Sequence, residues 1–434
     1  MLTLLRPSAA HTDRKPLGKP FRIYQSAVVS SDLADGIYRI ATPLLALGIT
    51  RSAFAVAMVG LAVRLPWLVA TLPAGVVADR YEPRTVMRWA SGLRLVLMTV
   101  MCLLAVFDRL PLWLLAVTAF AIGCAGTFVD VAAQSALPRL VDKDQLPRAN
   151  SSVQSTQMFL AQLLGPALGG FVVALGSGQG LATVAALYAV TVWALGRLPG
   201  GTVPDPVTAP AQPPAGATSP ATAPAKGKVS FKALVSELGE GLRYFRGRPD
   251  LGRLAVAAAA NNLSYSMCLT LLPLWAVAPG RLGLSETTYG LLLSCLAVGS
   301  VLAGPLTGRL VRRFGQQPLM RYGGPVLGLC FLALAVPSVP VVAAGLFCYG
   351  LVVIVWNVSI VSYRQTTIPA ALFGRVNAAY RWITWGVFPL GSLIAGTLAA
   401  TVGLSWVFLA AGAVPLLAAA AFPANATYVE KETS

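Results

Sequence analysis

Six ionisable side chains sit inside stretches otherwise apolar enough to enter a bilayer: Asp32, Asp35, Arg39, Arg64, Arg94 and Asp130. A charge in hydrocarbon costs several kcal/mol unless it is paired or hydrated, so each is a candidate functional group. In SDLADGIYRIATPLLAL, which runs from Ser31 to Leu47, Asp32, Asp35 and Arg39 fall at i, i+3 and i+7. On a helix those positions share one face, and that face should look into a wet cavity rather than into lipid. Such a set invites proton chemistry. A proton, a substrate and an arginine compete for one carboxylate, and the competition couples the binding of one to the release of another. Asp35 is the expected proton carrier, with Asp32 its rival and Asp130 a further candidate. Arg39, four residues on, is the expected partner of Asp35. Arg94 and Asp130 are expected to form a structural pair, and a static set of salt bridges is the competing reading of all six charges.

The second half of the chain offers neutral polar and aromatic groups within its apolar runs: Asn261, Asn262, Ser264 and Tyr265, then Trp356, Asn357 and Ser359. With Gln154 and Gln157 from the first half, these are the candidate walls of a substrate cavity. They suit an amphipathic organic molecule better than an inorganic ion, although packing is an equal expectation for each aromatic.

What must position these groups is a membrane-spanning scaffold. Of 434 residues, 56% are hydrophobic and only 11% charged, where about a quarter charged is usual for a soluble domain. Mean hydropathy is +0.70. Twelve apolar segments are each long enough to cross about 30 Å of hydrocarbon as a helix: 24–48, 53–77, 86–107, 112–136, 151–175, 179–198, 252–277, 287–310, 319–337, 339–362, 378–401 and 405–423. The chain thus divides into an N-terminal tail (1–23), a six-helix half (24–198), a linker (199–251), a second six-helix half (252–423) and a C-terminal tail (424–434). The linker begins with a Pro/Ala/Thr-rich stretch that reads as disordered. It ends in SFKALVSELGEGLRYFRGRPDL, whose Phe231, Leu234, Leu238, Leu242 and Phe245 predict an amphipathic helix at the cytoplasmic surface.

Charge sets the orientation. Arg6, Arg14, Lys15, Lys19 and Arg22 occupy the N-terminal tail, and the loops on the same side carry most of the other arginines. The opposite loops hold only Arg51, Arg109 and Arg281. This asymmetry predicts both termini in the cytoplasm and places Arg94 and Asp130 in the cytoplasmic third of the membrane. The net charge of +17 belongs to this pattern and not to nucleic-acid binding, because no basic domain with interleaved aromatics is present. The six cysteines all lie in apolar runs without metal-ligand spacing, and the single histidine, His11, lies in the polar tail. No catalytic constellation, metal site or cofactor site is expected.

The halves repeat. GVVADRYE from Gly75 matches GRLVRRFG from Gly308, Gln134 and Pro138 match Gln365 and Pro369, and Arg148-Ala-Asn150 matches Arg375-Val-Asn377, at offsets of 233, 231 and 227 residues. Duplicated six-helix halves are the mark of a secondary transporter with its substrate site between them at mid-membrane. Over essentially its full length the chain resembles the major facilitator superfamily. GVVADRYEPR resembles that family's loop between the second and third helices, although Glu82 and Pro83 depart from the pattern. The resemblance implies that Gly75 permits close helix packing, that Asp79 caps the start of helix eleven when the cytoplasmic side is closed, and that Arg80 and Arg84 are its basic partners. QLLGPALGG, with Gly165, Pro166, Gly169 and Gly170, resembles the motif of the exporter branch. Together with ALPRLV, RAN, RQ and GRVN it resembles the bacterial exporters of macrolides and siderophores.

The fold expected is therefore all-α and polytopic, with twelve transmembrane helices in two pseudo-symmetric six-helix halves. There is no GxxxxGK[ST] loop, so an ion gradient or the substrate's own gradient, rather than ATP, is the expected energy source. The reading is a monomeric, proton-coupled exporter of an amphipathic small molecule in the cell membrane. An importer or uniporter of the same fold, or a non-transporting sensor or scaffold, stays open.

Overall fold

The computed structural model describes residues 17–142, 145–157, 159–160, 164–199 and 231–420. The extreme tails, the Pro/Ala/Thr-rich stretch and Lys143 lie outside them, as do the side chains of Asp79, Pro166 and residues 231–238.

The described chain is helical throughout. In the first half the helices are α1 (Lys19–Ile49), α2 (Ala53–Val69), α3 (Thr71–Arg80), α4 (Pro83–Val106), α5 (Leu112–Ala136), α6 (Leu146–Gln157), α7 (Gly165–Ala174) and α8 (Ser177–Arg197). After α9 (Phe231–Gly247) come α10 (Pro249–Ala276), α11 (Glu286–Phe314), α12 (Gln316–Ala333), α13 (Val339–Thr367), α14 (Ala370–Thr401) and α15 (Leu404–Ala420). Read in order they make twelve crossings. α2 with α3 forms the second, α6 with α7 forms the fifth, and seven single helices are long and apolar enough to cross a bilayer by themselves. The twelve-helix, all-α expectation holds.

Local chemistry sets the ends. Ser52 caps α2 by accepting from the Ala55 N–H, and Ser285 caps α11 by accepting from the Thr288 N–H. Pro83 and Pro249 open α4 and α10, where the missing N–H is harmless. Gly315, at φ 78°, turns α11 directly into α12, a backbone conformation that favours glycine. Two spans that the sequence presents as continuous are broken. The second is divided into α2 and α3 at Ala70, whose N–H is still accepted by the Pro66 carbonyl at 2.7 Å. The fifth passes through π-helical turns at 159–160 and at Leu164 before α7 resumes.

Helices pack mostly within their own half: α1 on α7 and α8, α4 on α5 and α8, α10 on α14 and α15, and α13 on α11 and α12. Two long seams join the halves, α2 along α14 and α7 along α11. At the end of the bundle away from the N-terminus these seams are tight. Gly170 of α7 lies against the Glu286 carbonyl and Gly290, Gly396 of α14 lies on Ala57 and Phe54, and the Arg51 guanidinium donates to the Ala278 carbonyl at 3.2 Å. α9 does not simply lie on a surface. Gly241 packs on the Arg375 backbone and Ala379 of α14, and Glu240 pairs with Arg375 at 2.7 Å.

Candidate functional site

Between the halves lies a cavity of about 420 Å³. Its first-half wall is Asp32, Asp35, Arg39, Asp130 and Gln157, and its second-half wall is Asn262, Tyr265, Leu296, Ser300, Tyr349, Val353, Ile354 and Phe388. The i, i+3, i+7 face of α1 thus opens into this space as its spacing predicts.

The ion pairing differs from both expectations. Asp35 pairs with Arg94 of α4 and not with Arg39. Arg94 is 2% exposed, and its guanidinium also donates to the Ser31 hydroxyl at 3.2 Å and the Tyr188 hydroxyl at 3.0 Å. The Tyr188 hydroxyl in turn donates to the same Asp35 oxygen at 2.6 Å. Asp35, Arg94 and Tyr188 therefore form a closed triangle across α1, α4 and α8. Gly126 of α5 faces the guanidinium, and a Cβ there would stand 3.7 Å from it, in ordinary contact. The helical geometry explains the choice. Arg39 is one turn further along α1 and exposed to the cavity, whereas Arg94 meets Asp35 through the packed interface.

The expected Arg94–Asp130 pair is also absent, because Arg94 is taken by Asp35. Among the described residues Asp130 forms no ion pair, and neither does Asp32. One Asp32 carboxylate oxygen is buried without a hydrogen-bond partner among the described residues, and Gln157 lies beside the group. On the opposing side Arg64 of α2 reaches across the seam to two aromatic rings of the second half. Its guanidinium carbon lies 5.3 Å from the Phe388 centroid and 5.9 Å from that of Tyr265. Tyr265 stacks on Tyr349 at 5.6 Å and meets Phe388 edge-on at 6.3 Å. Asn262 donates to the Thr384 carbonyl at 2.7 Å.

Other expected wall residues lie elsewhere. Asn261 turns into the second half, where its amide donates to the Tyr349 hydroxyl at 3.3 Å. Trp356 is 2% exposed and packs against Gly323, its indole N–H donating to the Met320 carbonyl at 2.9 Å. Asn357 is exposed one turn beyond Val353 and Ile354, and Gln154 is exposed one turn before Gln157; neither lines the cavity. Conversely, Tyr188, Tyr349, Ser300 and Phe388 were missed. A span aromatic carries no sequence signal that separates wall from packing.

The two glycine motifs also resolve. A Cβ on Gly165 would meet Gly36 of α1, one on Gly169 would meet Ile37 and Ile40, and one on Gly170 would meet Glu286 and Gly290 of α11. The glycines of this stretch that open α7 are thus wedged between α1 and the other half, while Gln162 and Leu163 lie outside the described residues. Gly75 is different. Nothing lies within 4 Å of a Cβ placed there, so the close packing implied for it is not present in this conformation. Arg84 caps α8, donating to the Leu195 carbonyl at 3.2 Å and the Gly196 carbonyl at 2.9 Å, and Arg80 is exposed. Asp79 falls within α3, its side chain outside the described residues.

A charged, aromatic-walled cavity between two paired helical lobes defines a membrane transporter. Residues 26–388 match the family model of the Major Facilitator Superfamily, and the chain belongs to that family. It is 28% identical over 409 residues to the multidrug efflux pump Tap of Mycolicibacterium fortuitum, covering 90% of this chain and 92% of that protein. The Tap pump of Mycobacterium tuberculosis is 27% identical, with 88% of each chain covered. Among solved structures, the nucleoside transporter NupG superposes with a TM-score of 0.63 at 14% identity, over 92% of this chain and 98% of that one. A bacterial homologue of the iron transporter ferroportin, in an inward-facing state, gives 0.61 at 16% identity, over 92% and 97%. At such identities these two structures speak for the fold alone.

Proposed function

We propose that the protein is a proton-coupled exporter of amphipathic organic molecules, working by alternating access as a monomer in the cell membrane, with both termini cytoplasmic. The observation that carries this reading is the cavity itself: Asp32 and Asp130, two carboxylates that form no ion pair among the described residues, face a wall of Tyr265, Tyr349 and Phe388. Its volume of about 420 Å³ lies in the range that holds drug-sized ligands. The stacked aromatics receive an apolar body, while Asn262, Ser300 and the acids receive polar groups. The resemblance to two Tap efflux pumps supports export over import.

The geometry moves the proposed proton carrier from Asp35 to Asp32. Asp35 is held by Arg94 and Tyr188 and organises the first lobe, whereas the charge of Asp32 is uncompensated within ion-pair distance. Loading and proton release at Asp32 are then linked by Arg39, which lines the same cavity two helical turns along α1 and can approach an incoming anion or a deprotonated carboxylate. The halves, 24–198 and 252–423, rock against each other along the α2–α14 and α7–α11 seams. In the conformation seen, the end away from the termini is the closed one, so the cavity is loaded from the cytoplasm. The Asp79 loop with Arg80 and Arg84 closes that side in the alternate state.

Purified protein in proteoliposomes tests this. Asp32→Asn should still bind a fluorescent amphipathic dye while losing dye movement driven by an imposed pH gradient. Proton-driven efflux at the unmodified rate in Asp32→Asn would overturn the assignment, and loss in Asp130→Asn alone would transfer it to Asp130.

A further inference from the structure

The second copy of the repeated loop departs from the first in charge. Aligning Gly75 with Gly308 places Arg312 where the first copy has Asp79, and from residue 287 to residue 429 the chain contains no Asp or Glu at all. Arg309, Arg312, Arg313 and Arg321 are all exposed, and among the described residues none of them forms an ion pair. No acid near in sequence balances this cluster.

Beside it lies a second cavity of about 380 Å³, formed where α11 ends, α12 begins and α13 passes behind them. Its lining is almost wholly apolar, with Phe314, Tyr322, Val326, Val352 and Trp356 among the walls. The floor makes no polar demand, because the Trp356 N–H is already satisfied by the Met320 carbonyl. Gly323 keeps the floor open, since a Cβ there would run into the Trp356 ring. Two cations stand at the rim, on rings that themselves line the groove. The Arg313 guanidinium lies 5.4 Å from the Phe314 centroid and that of Arg321 lies 5.2 Å from the Tyr322 centroid.

An apolar groove with a cationic rim fits one kind of molecule available in a bilayer. We propose that this groove is a binding site for an anionic phospholipid, with one acyl chain along α12 and α13 and the phosphate on Arg313 and Arg321. Arg309 and Arg312 add to the local potential. The site lies at the end of the bundle shared with the N-terminus, the side on which the arginine loops collect, and anionic leaflets attract such clusters. It does not depend on what the central cavity transports.

Native mass spectrometry of the full chain, released from detergent with equal amounts of phosphatidylglycerol and phosphatidylcholine of matched chains, reads the site directly. Phosphatidylglycerol should be retained roughly tenfold over phosphatidylcholine, given the attraction of each basic residue for an anionic headgroup. Arg313→Gln with Arg321→Gln should bring that ratio close to one, while Arg313→Lys with Arg321→Lys should keep most of it. Val326→Trp, which fills the groove and leaves the arginines in place, should reduce phosphatidylglycerol retention. Thermal stabilisation by the lipid should not be reproduced by its soluble headgroup, glycerophosphoglycerol. Equal retention of both lipids by the unmodified protein, undiminished retention in the double glutamine variant, or equal stabilisation by the soluble headgroup would each overturn the proposal.

Discussion

Arg94 is the residue on which the charged centre of the first lobe turns. It is almost fully buried and is shared among Asp35, Tyr188 and Ser31. Removing Arg94 leaves the Asp35 carboxylate without its ion-pair partner; because that carboxylate is 28% exposed at the cavity wall, the cost falls below the buried-pair range, at about 2 kcal/mol. Arg94→Gln should therefore lower the thermal unfolding midpoint in detergent sharply. Adding Asp35→Asn should recover a large part of the loss, because it removes the orphaned charge. Tyr188→Phe removes only a hydroxyl and should cost about 1 kcal/mol or somewhat more, as its acceptor is ionised. The six charges were legible in the sequence because each is expensive in an apolar run. Their partners were not. The i,i+4 rule points Asp35 to Arg39, the nearest cation in sequence, whereas the actual partner stands on another helix, α4. Pairing across helices depends on packing, and a single sequence does not display packing.

At the scale of elements, α7 and α9 show what pattern does and does not reveal. The glycines of α7 were readable as small residues for close approach. Which helix approaches each was not: Gly165 and Gly169 serve α1, and Gly170 serves α11. Gly170→Val should consequently hold α7 away from the start of α11 and loosen the closed end. With Ser285→Cys as a reporter, its thiol should be alkylated faster in the Gly170→Val background than alone. The equivalent change at Gly75, which has open space around it, should leave that rate unchanged. For α9, hydrophobic spacing predicted the helix and its amphipathic character but not its docking on α14. Glu240 and Arg375 are both about half exposed, so Glu240→Gln should change stability by less than about 1 kcal/mol. Gly241→Leu should cost more, because its side chain would meet the Arg375 backbone. Differential scanning fluorimetry separates the two. The breaks in the second and fifth spans were hidden for the opposite reason, since their flanking residues are apolar enough to read as one helix.

For the whole molecule, the twelve-span count and the repeat were the most legible features, because hydropathy over twenty residues is a strong signal and polar matches at equivalent positions survive divergence. The conformation was not legible, since alternate states of a transporter share one sequence. The tight contacts at the end away from the termini predict a mechanical result. A short bifunctional thiol reagent joining Arg51→Cys to Ala278→Cys should stop transport in proteoliposomes while leaving dye binding at the central cavity intact. Reversal of the cross-link should restore transport.

The lack of any Asp or Glu between residues 287 and 429 also limits how much work one cycle can perform. Within the described spans the carboxylates that face the cavity are Asp32, Asp35 and Asp130, all on one lobe, and Asp35 is neutralised by Arg94. Under proton-driven exchange two protons per cycle are then available. Each proton falling through one pH unit releases about 1.4 kcal/mol, a tenfold ratio. A neutral cargo therefore reaches a concentration ratio on the order of a hundredfold per pH unit and no more. A measured ratio above that ceiling, in vesicles with the membrane potential clamped at zero, would mean that Asp35 leaves Arg94 during the cycle.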